Sequence, residues 1–411
     1  MIWMGLPSII FLPPITATNL FYRLRFPMAV ELSIPPDLQD FLAKVRAFRL
    51  SIPPAIDEAE RAGRFPQNLL RECGKLGLCG MLVPREYGGS GIGPLGYVLA
   101  IEEVSRASAS LGVVLSVHNS VGVFPIYQFG TEEQKKALLP RLCSGEALAG
   151  FAVTEAGAGS DVSSIATTAA KKGKEWVLNG IKLFISNGEG EAFNVLATTG
   201  SGKGHLGQTM FLVRKGDPGF RVGGTERKMG IHADQTCELV FEDCRIGADR
   251  VLGRENEGFK QAMQILDAGR IGISAQAIGS TEGALDEAIS VIRRTPRLAA
   301  SQAAQFAIAE CATEIEAARL LVLRAADRKQ RGLGTTMAAS MAKLQAATVA
   351  NRVAARLVAV LGQEAVLGPN PIERFFRDSK VFEIYEGTSE IHQLIISRRL
   401  LGSWSFEKSM E

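Results

Sequence analysis

The sequence predicts an α+β protein built as an N-terminal helical domain, a middle antiparallel β domain and a C-terminal helical bundle. Three observations carry this. Apolar residues recur at helical spacing up to about residue 150, short runs bounded by Gly and Asn fill residues 151–250, and long Ala-rich helical stretches follow Gly253. At 411 residues the chain is too long for one ordinary core. The expected parts are 28–150, 151–250 and 251–404, with 1–27 as an extension ahead of a working start near Met28.

The extension has no acidic residue, and Pro7, Pro13 and Pro14 interrupt its apolar run, so it is too broken to span a bilayer. Arg23 and Arg25 follow the apolar part, the reverse of a signal peptide; a weak organelle-targeting segment is the rival reading. Leu38, Phe41, Leu42, Val45 and Phe48 predict the first helix. Pro66 opens a short helix through Leu76, and a helix from Leu95 to Ala107 is expected to turn Glu102 and Glu103 to solvent. Thr131-Glu132-Glu133-Gln134 reads as a capping box before Leu138, Leu139 and Leu142.

From Phe151 the runs FAVTE, EWVLNGIKLFIS, FNVLATT, TMFLVRK and CELVFEDCRI predict strands. In the last, Cys237, Leu239 and Phe241 alternate with Glu238, Val240 and Glu242. No helical period fits between the runs, which favours antiparallel pairing over βαβ units. Helices are then expected at 258–292, 301–330, 336–361 and 371–383, with a last one after Thr388. The Ala-rich Thr335–Gly362 stretch carries Lys343, Arg352 and Arg356 and so predicts a buried helix of a soluble bundle.

Composition excludes several classes of function. Basic residues number 46 against 43 acidic, and no arginine-rich stretch interleaves with aromatics, so nucleic acid is not an expected partner. Six scattered cysteines without a CxxC, and four histidines, give neither a disulfide scaffold nor a metal-ligand cluster. A reducing compartment follows: the cytoplasm, or the mitochondrial matrix in a eukaryote. Gly157-Ala158-Gly159 runs into Ser160-Asp161-Val162 and fails as a Rossmann fingerprint, and Gly202-Lys203 lacks the rest of a P-loop.

Three segments carry a specific pattern. In Phe151–Asp161 (FAVTEAGAGSD) a strand ends in a turn whose Gly157 and Gly159 let backbone N–H groups approach a flat polar ring or a phosphate. In KLFISNG, Phe184 and Ser186 lie two apart on a strand, an aromatic ring and a hydroxyl expected on one face. In FRDSKVFEIYEGTSEI, Glu386 follows an apolar approach and precedes Gly387 and the N-cap candidate Thr388; burial there would raise its pKa to suit abstraction of a weakly acidic proton.

With the stretches KMGIHADQTCELVFEDCRI and LDAGRIGISAQAIG, these segments resemble the acyl-CoA dehydrogenase family from roughly Leu38 to Leu401, nearest its short-chain, butyryl-type branch. The resemblance implies FAD as cofactor, an acyl-CoA substrate, an electron-transfer flavoprotein as acceptor, and a homotetramer or dimer. It makes Glu386 the base. It places Phe151, Val153, Thr154, Gly159, Ser160, Phe184, Ile185, Ser186, Gln302, Thr388 and Glu390 at the cofactor, and Ser160, Asp267, Arg270, Tyr385 and Gly387 at the substrate. One related branch carries its base just before the arginine of the LDxxR segment, and here Gly269 holds that position.

Two stretches depart from the family pattern. Ile292–Ser301 (IRRTPRLAAS) is shorter than the Arg-x-Gln-Phe-Gly loop that reaches a neighbouring subunit's FAD, with Arg293, Arg294 or Arg297 as substitutes. Ala359–Gln363 retains one glycine of a Gln-x-x-Gly-Gly stretch. Both bear on FAD affinity and subunit geometry. Two alternative functions stay open: a flavin-dependent acyl-CoA oxidase-type enzyme, and a weakly FAD-binding, non-catalytic acyl-CoA-binding scaffold.

Overall fold

The computed structural model describes residues 35–200, 204–367 and 371–402; the expected extension at 1–27 lies outside them. The first unit holds α1 (Pro36–Ser51), α2 (Pro53–Ala62), α3 (Gln67–Lys75), α4 (Gly93–Ser105), α5 (Ala109–Val117), α6 (Phe124–Phe129) and α7 (Glu132–Cys143). Strands β1 (Ala149–Ala152), β2 (Thr168–Lys172), β3 (Glu175–Ile185), β4 (Ala192–Thr198), β5 (Gln208–Arg214), β6 (Phe220–Thr225) and β7 (Cys237–Gly247) follow. The last unit holds α8 (Gly258–Arg294), α9 (Pro296–Ala299), α10 (Gln302–Gln330), α11 (Thr336–Leu361), α12 (Gln363–Val366), α13 (Ile372–Ser379) and α14 (Ser389–Leu401).

The expected helix–sheet–helix order is present, and the capping box at Thr131 forms in both directions with Gln134. Elements that periodicity missed have physical reasons. From Ala109 to Phe129 the chain runs α5, a π-helical turn at His118–Val123, then α6; nearly every residue is buried, so no polar stripe marks a helical period. Strand β2 exposes four of its five residues and β6 contains two glycines, so neither shows the alternation of a half-buried strand.

Glu102 and Glu103 correct the expectation that they face solvent. Helix α4 lies between α1 and α10, and Glu103, 7% exposed, accepts from Arg49 at 2.8 Å, while Glu102 meets Arg319 of α10 at 2.8 Å. Adjacent positions on a helix point about 100° apart, so the two carboxylates serve different neighbouring helices.

The seven-stranded sheet runs β1-β4-β2-β3-β7-β6, with β5 paired to β4. Most pairs are antiparallel, but β4 runs parallel to both its β1 neighbour, from Ala149↔Ala192 to Ala152↔Val195, and β2, at Thr168↔Thr198. The antiparallel hairpin of β2 and β3 brings the chain back so that β4 enters beside β1 in the same direction, without a crossover helix.

Trp176, Phe193, Phe211 and Phe241 fill a core of the sheet's own, whereas the two helical units share one continuous core. Its centre is α8, buried along much of its length. At Gly279 and Gly283 a Cβ would strike the Glu102 and Arg106 carbonyls, so glycine lets α8 and the C-terminal end of α4 approach backbone to backbone. Among the described residues two stretches, Ala109–Phe129 and Thr336–Leu361, are long and apolar enough to cross a membrane. The first is buried within the fold; on the second, Lys343 reaches the Gly387 carbonyl and Arg352 and Arg356 pair with Glu314. The six cysteines are buried and free.

Candidate active site

The site is built where the turn before α14 meets the buried middle of α8. Glu386 has φ 55 and Gly387 φ 100, so the chain takes two successive left-handed residues, the first without glycine's freedom. Thr388 then caps α14, its hydroxyl accepting from Ile391 N at 3.4 Å, as the sequence predicts. The turn drives the Glu386 side chain against α8 at Gly269, where a Cβ would lie 2.5 Å from Oε2 and 2.8 Å from Cδ. Position 269 and the Glu386 carboxyl therefore compete for one space. This explains physically why a carboxylate can be supplied from either.

Glu386 Oε2 is inaccessible and has no hydrogen-bond partner. Burial pushes the carboxyl up to about 7, against the opposing charges of Arg270 and Lys343. Arg270, on α8, is 6% exposed and pairs with Asp267 at 2.7 Å, whose other oxygen accepts from Thr336 at 2.6 Å. Tyr385 donates to Gln276 Oε1 at 2.5 Å, and Gln276 donates to the Ala109 carbonyl at 2.7 Å. Burial raises the Tyr385 hydroxyl well above its ordinary value, with the charges of Asp234 and Glu386 adding to it; the residue thus stands between the base turn and the loop after β6.

The two strand-derived segments are welded by a buried ion pair. Lys182 on β3, fully inaccessible, donates to the Val153 carbonyl at 2.9 Å and to Glu155 Oε1 at 2.7 Å. Glu155 also accepts from Ala166 N at 2.6 Å and Thr167 N at 3.0 Å, and Leu183 N donates to the Thr154 carbonyl at 2.8 Å. Beyond them the chain makes a tight Glu155–Ala158 turn, and the Cβ directions of Gly157 and Gly159 point into open space. Ser160 is exposed beside them, Val153 is buried, and Phe151 is half-buried against the helical core.

At the end of β3 the structure corrects the simple alternation expected for Phe184 and Ser186. A register shift between Lys182 and Ile185 and a left-handed φ of 58 at Phe184 break the strand's period. The bulge buries Lys182 and Ile185 three residues apart and leaves Phe184 60% exposed, a large ring held out by strained backbone. Ser186 donates to Asp234 Oδ2 at 2.8 Å, and the buried Asp234 also receives Asn187 N and the Thr236 hydroxyl. Gln302 lies exposed at the start of α10 and Glu390 exposed on the first turn of α14.

Sequence reasoning missed Asp234, Glu155, His392 and the site role of Lys343. Asp234, Glu155 and Lys343 are distant in sequence from the groups they support, and His392, though only five residues past Gly387, is brought back to it by the first turn of α14; the one available signal was a lone lysine in an Ala-rich helix. The residues fit a flavin. Two glycines open a backbone edge, an exposed aromatic and a hydroxyl stand at the neighbouring strand end, and a buried carboxyl without a partner lies on the helical side. Fold and site together define an oxidoreductase that works through a bound flavin.

Family models match the acyl-CoA dehydrogenase N-terminal domain over residues 35–146, the middle domain over 150–244 and the C-terminal domain over 256–401. The chain is 45% identical to an acyl-CoA dehydrogenase of Bacillus subtilis over 364 residues, 87% of this chain and 96% of that one. The solved butyryl-CoA dehydrogenase of Megasphaera elsdenii matches with a TM-score of 0.87 and 39% identity, over 90% of this chain and 100% of its own. A chain of a solved structure described as the electron transferring flavoprotein of Acidaminococcus fermentans matches with a TM-score of 0.88 and 40% identity, over 91% of this chain and 100% of its own. The chain belongs to the acyl-CoA dehydrogenase family, in its short-chain, butyryl-type branch. It is an FAD-dependent oxidoreductase acting on CH–CH bonds of acyl-CoA thioesters.

Proposed function

We propose that Glu386 removes the α-proton of the acyl-CoA thioester as the trans-2-enoyl-CoA product forms. One observation carries this reading: the Glu386 carboxyl is buried against the gap at Gly269, with Oε2 unpartnered. A carboxylate saturated by hydrogen bonds is too weak a base, whereas one desolvated and pushed up to about 7 gains by taking a proton. Arg270 and Lys343 keep it from being locked neutral. The family resemblance assigns the Glu386 N–H to the substrate carbonyl, where it would stabilise the charge that grows on oxygen. When bound, FAD supplies the acceptor for the β-hydride.

Val153, Thr154, Gly159 and Ser160 would hold the cofactor from one strand end, and Phe184, Ile185 and Ser186 from the other. Phe151, Gln302, Thr388 and Glu390 complete the set. Asp267, Arg270, Tyr385 and Gly387 with Ser160 would hold the substrate. Arg297 is engaged by Glu364 at 3.0 Å, which favours the exposed Arg293 or Arg294 for a neighbouring subunit's FAD. Exposed Phe306, Val366, Leu367, Leu394, Leu400 and Leu401 suit a homotetramer or dimer. Electrons would pass to an electron-transfer flavoprotein, in the cytoplasm, with no membrane span and with the domain division at 28–150, 151–250 and 251–404.

The test is anaerobic titration of the yellow holoenzyme with butyryl-, octanoyl- and isovaleryl-CoA. The flavin should bleach with at least one, and Glu386→Gln should bind substrate without bleaching. Normal bleaching of that variant sinks the assignment. Rapid reoxidation of the bleached enzyme by oxygen would favour the oxidase reading.

A further inference from the structure

Lys343 is buried in the helical bundle, 1% exposed, and the mechanism above uses it only as a nearby charge. Its ammonium donates to the Gly387 carbonyl at 2.8 Å, the peptide that follows the base. That peptide belongs to the turn whose left-handed Glu386 is not a conformation the residue would choose. From the other side, α14 presents His392: fully buried, set against the Glu386–Gly387 backbone, its Nε2 3.0 Å from where a Cβ at Gly387 would lie. Two side chains from separate helices thus clasp one glycine.

Resting on the reading of Glu386 as the base, we propose that Lys343 is a positioning residue. Its hydrogen bond to Gly387 fixes the strained turn that aims the carboxyl at Gly269, and its charge keeps that carboxyl ionisable in the working pH range. His392 is the neutral spacer that makes the arrangement tolerable: burial and the nearby charges of Lys343 and Arg270 lower it to about 3, so it adds no second cation.

The charged and titratable groups facing Glu386 are Arg270 of α8, Lys343 of α11, the Tyr97 hydroxyl of α4, its neighbour Tyr385, and His392 of α14. Only Arg270 and Lys343 are cations at neutral pH. Arg270 is already tied to Asp267, while Lys343 has a carbonyl as its hydrogen-bond partner, and Glu383, Glu390 and Glu386 act on it through space. Removing Lys343 therefore takes away the cation not neutralised by a direct ion pair, and the acid limb of the reaction should move to higher pH.

The experiment compares Lys343→Met and Lys343→Arg with the parent holoenzyme, following the rate of flavin bleaching against pH and the infrared carboxyl band that Glu386→Gln abolishes. Lys343→Gln is read instead if the Met variant does not fold. The expected result is an alkaline shift of at least one pH unit in both readouts for the neutral variant, a rate loss of about fivefold or more at pH 7 that recovers at pH 9, and a near-parental limb for Lys343→Arg. Unmoved limbs with uniformly lower rates would leave Lys343 a structural residue and overturn the proposal. That failure differs from failure of the base assignment, in which Glu386→Gln itself would bleach.

Discussion

Glu155 in the sheet and Glu386 in the helical bundle are both carboxylates beside a buried lysine. Glu155 receives Ala166 N, Thr167 N and Lys182 Nζ; although burial pushes its carboxyl up, the Lys182 charge and those hydrogen bonds outweigh this and hold it below the usual range. Glu386 has Arg270 and Lys343 nearby but an oxygen without a hydrogen bond, and it rises to about 7. Both lysines are lowered by burial to about 8. The lysine alone thus does not settle the role. Direct bonding makes Glu155 a clamp between strand segments, and its absence leaves Glu386 able to accept a proton.

Four sets of expected outcomes test this contrast. Glu386→Gln should lower the anaerobic flavin-reduction rate by about 10³-fold or more, whereas Glu155→Gln should leave the rate per folded holoenzyme within about tenfold. In denaturant melts the order reverses: Glu155→Ala strands the Lys182 charge and should cost about 3–5 kcal/mol.

Moving the base would sharpen the geometric claim. Because Gly269 and the Glu386 carboxyl share one space, Gly269→Ala should slow flavin reduction at least tenfold while the flavin spectrum persists. The double variant Gly269→Glu, Glu386→Gly should recover part of the activity lost in Glu386→Gly alone. No recovery would show that shared space is insufficient.

The two carboxylates should also carry opposite pH signatures. Glu386 is raised in the folded state, so it binds a proton there that the unfolded chain releases; its ionisation costs stability as pH rises from the unfolded value through about 7. Glu386→Gln should therefore stabilise more at pH 8 than at pH 5, by on the order of 2 kcal/mol. Glu155, depressed in the fold, contributes stability above its unfolded value that is lost as pH falls, so Glu155→Gln should destabilise more at pH 7 than at pH 4. Melts of each variant across pH give both signs.

The smallest effect is expected at the cap. Thr388→Ala removes the acceptor for Ile391 N and should cost about 1 kcal/mol, with a modest loss of rate because the turn before α14 carries the base. A rate loss as large as that of Glu386→Gln would mean that the cap, more than Lys343, holds the turn.

The order of helical and β regions, the long C-terminal helices and the Thr131 and Thr388 caps are local or periodic features, and one-dimensional spacing records them; the glycine opposite the base comes only through the family resemblance. Only the tertiary structure could place Glu103 against Arg49, break the period at Phe184, run β1 parallel to β4, or bring Lys343 and His392 to either side of Gly387. All but the His392 contact, which is made within five residues, depend on segments tens of residues apart or more. Hydrogen-bond satisfaction, which separates Glu386 from Glu155, is a property of that assembled surrounding and is not written in the residues beside them.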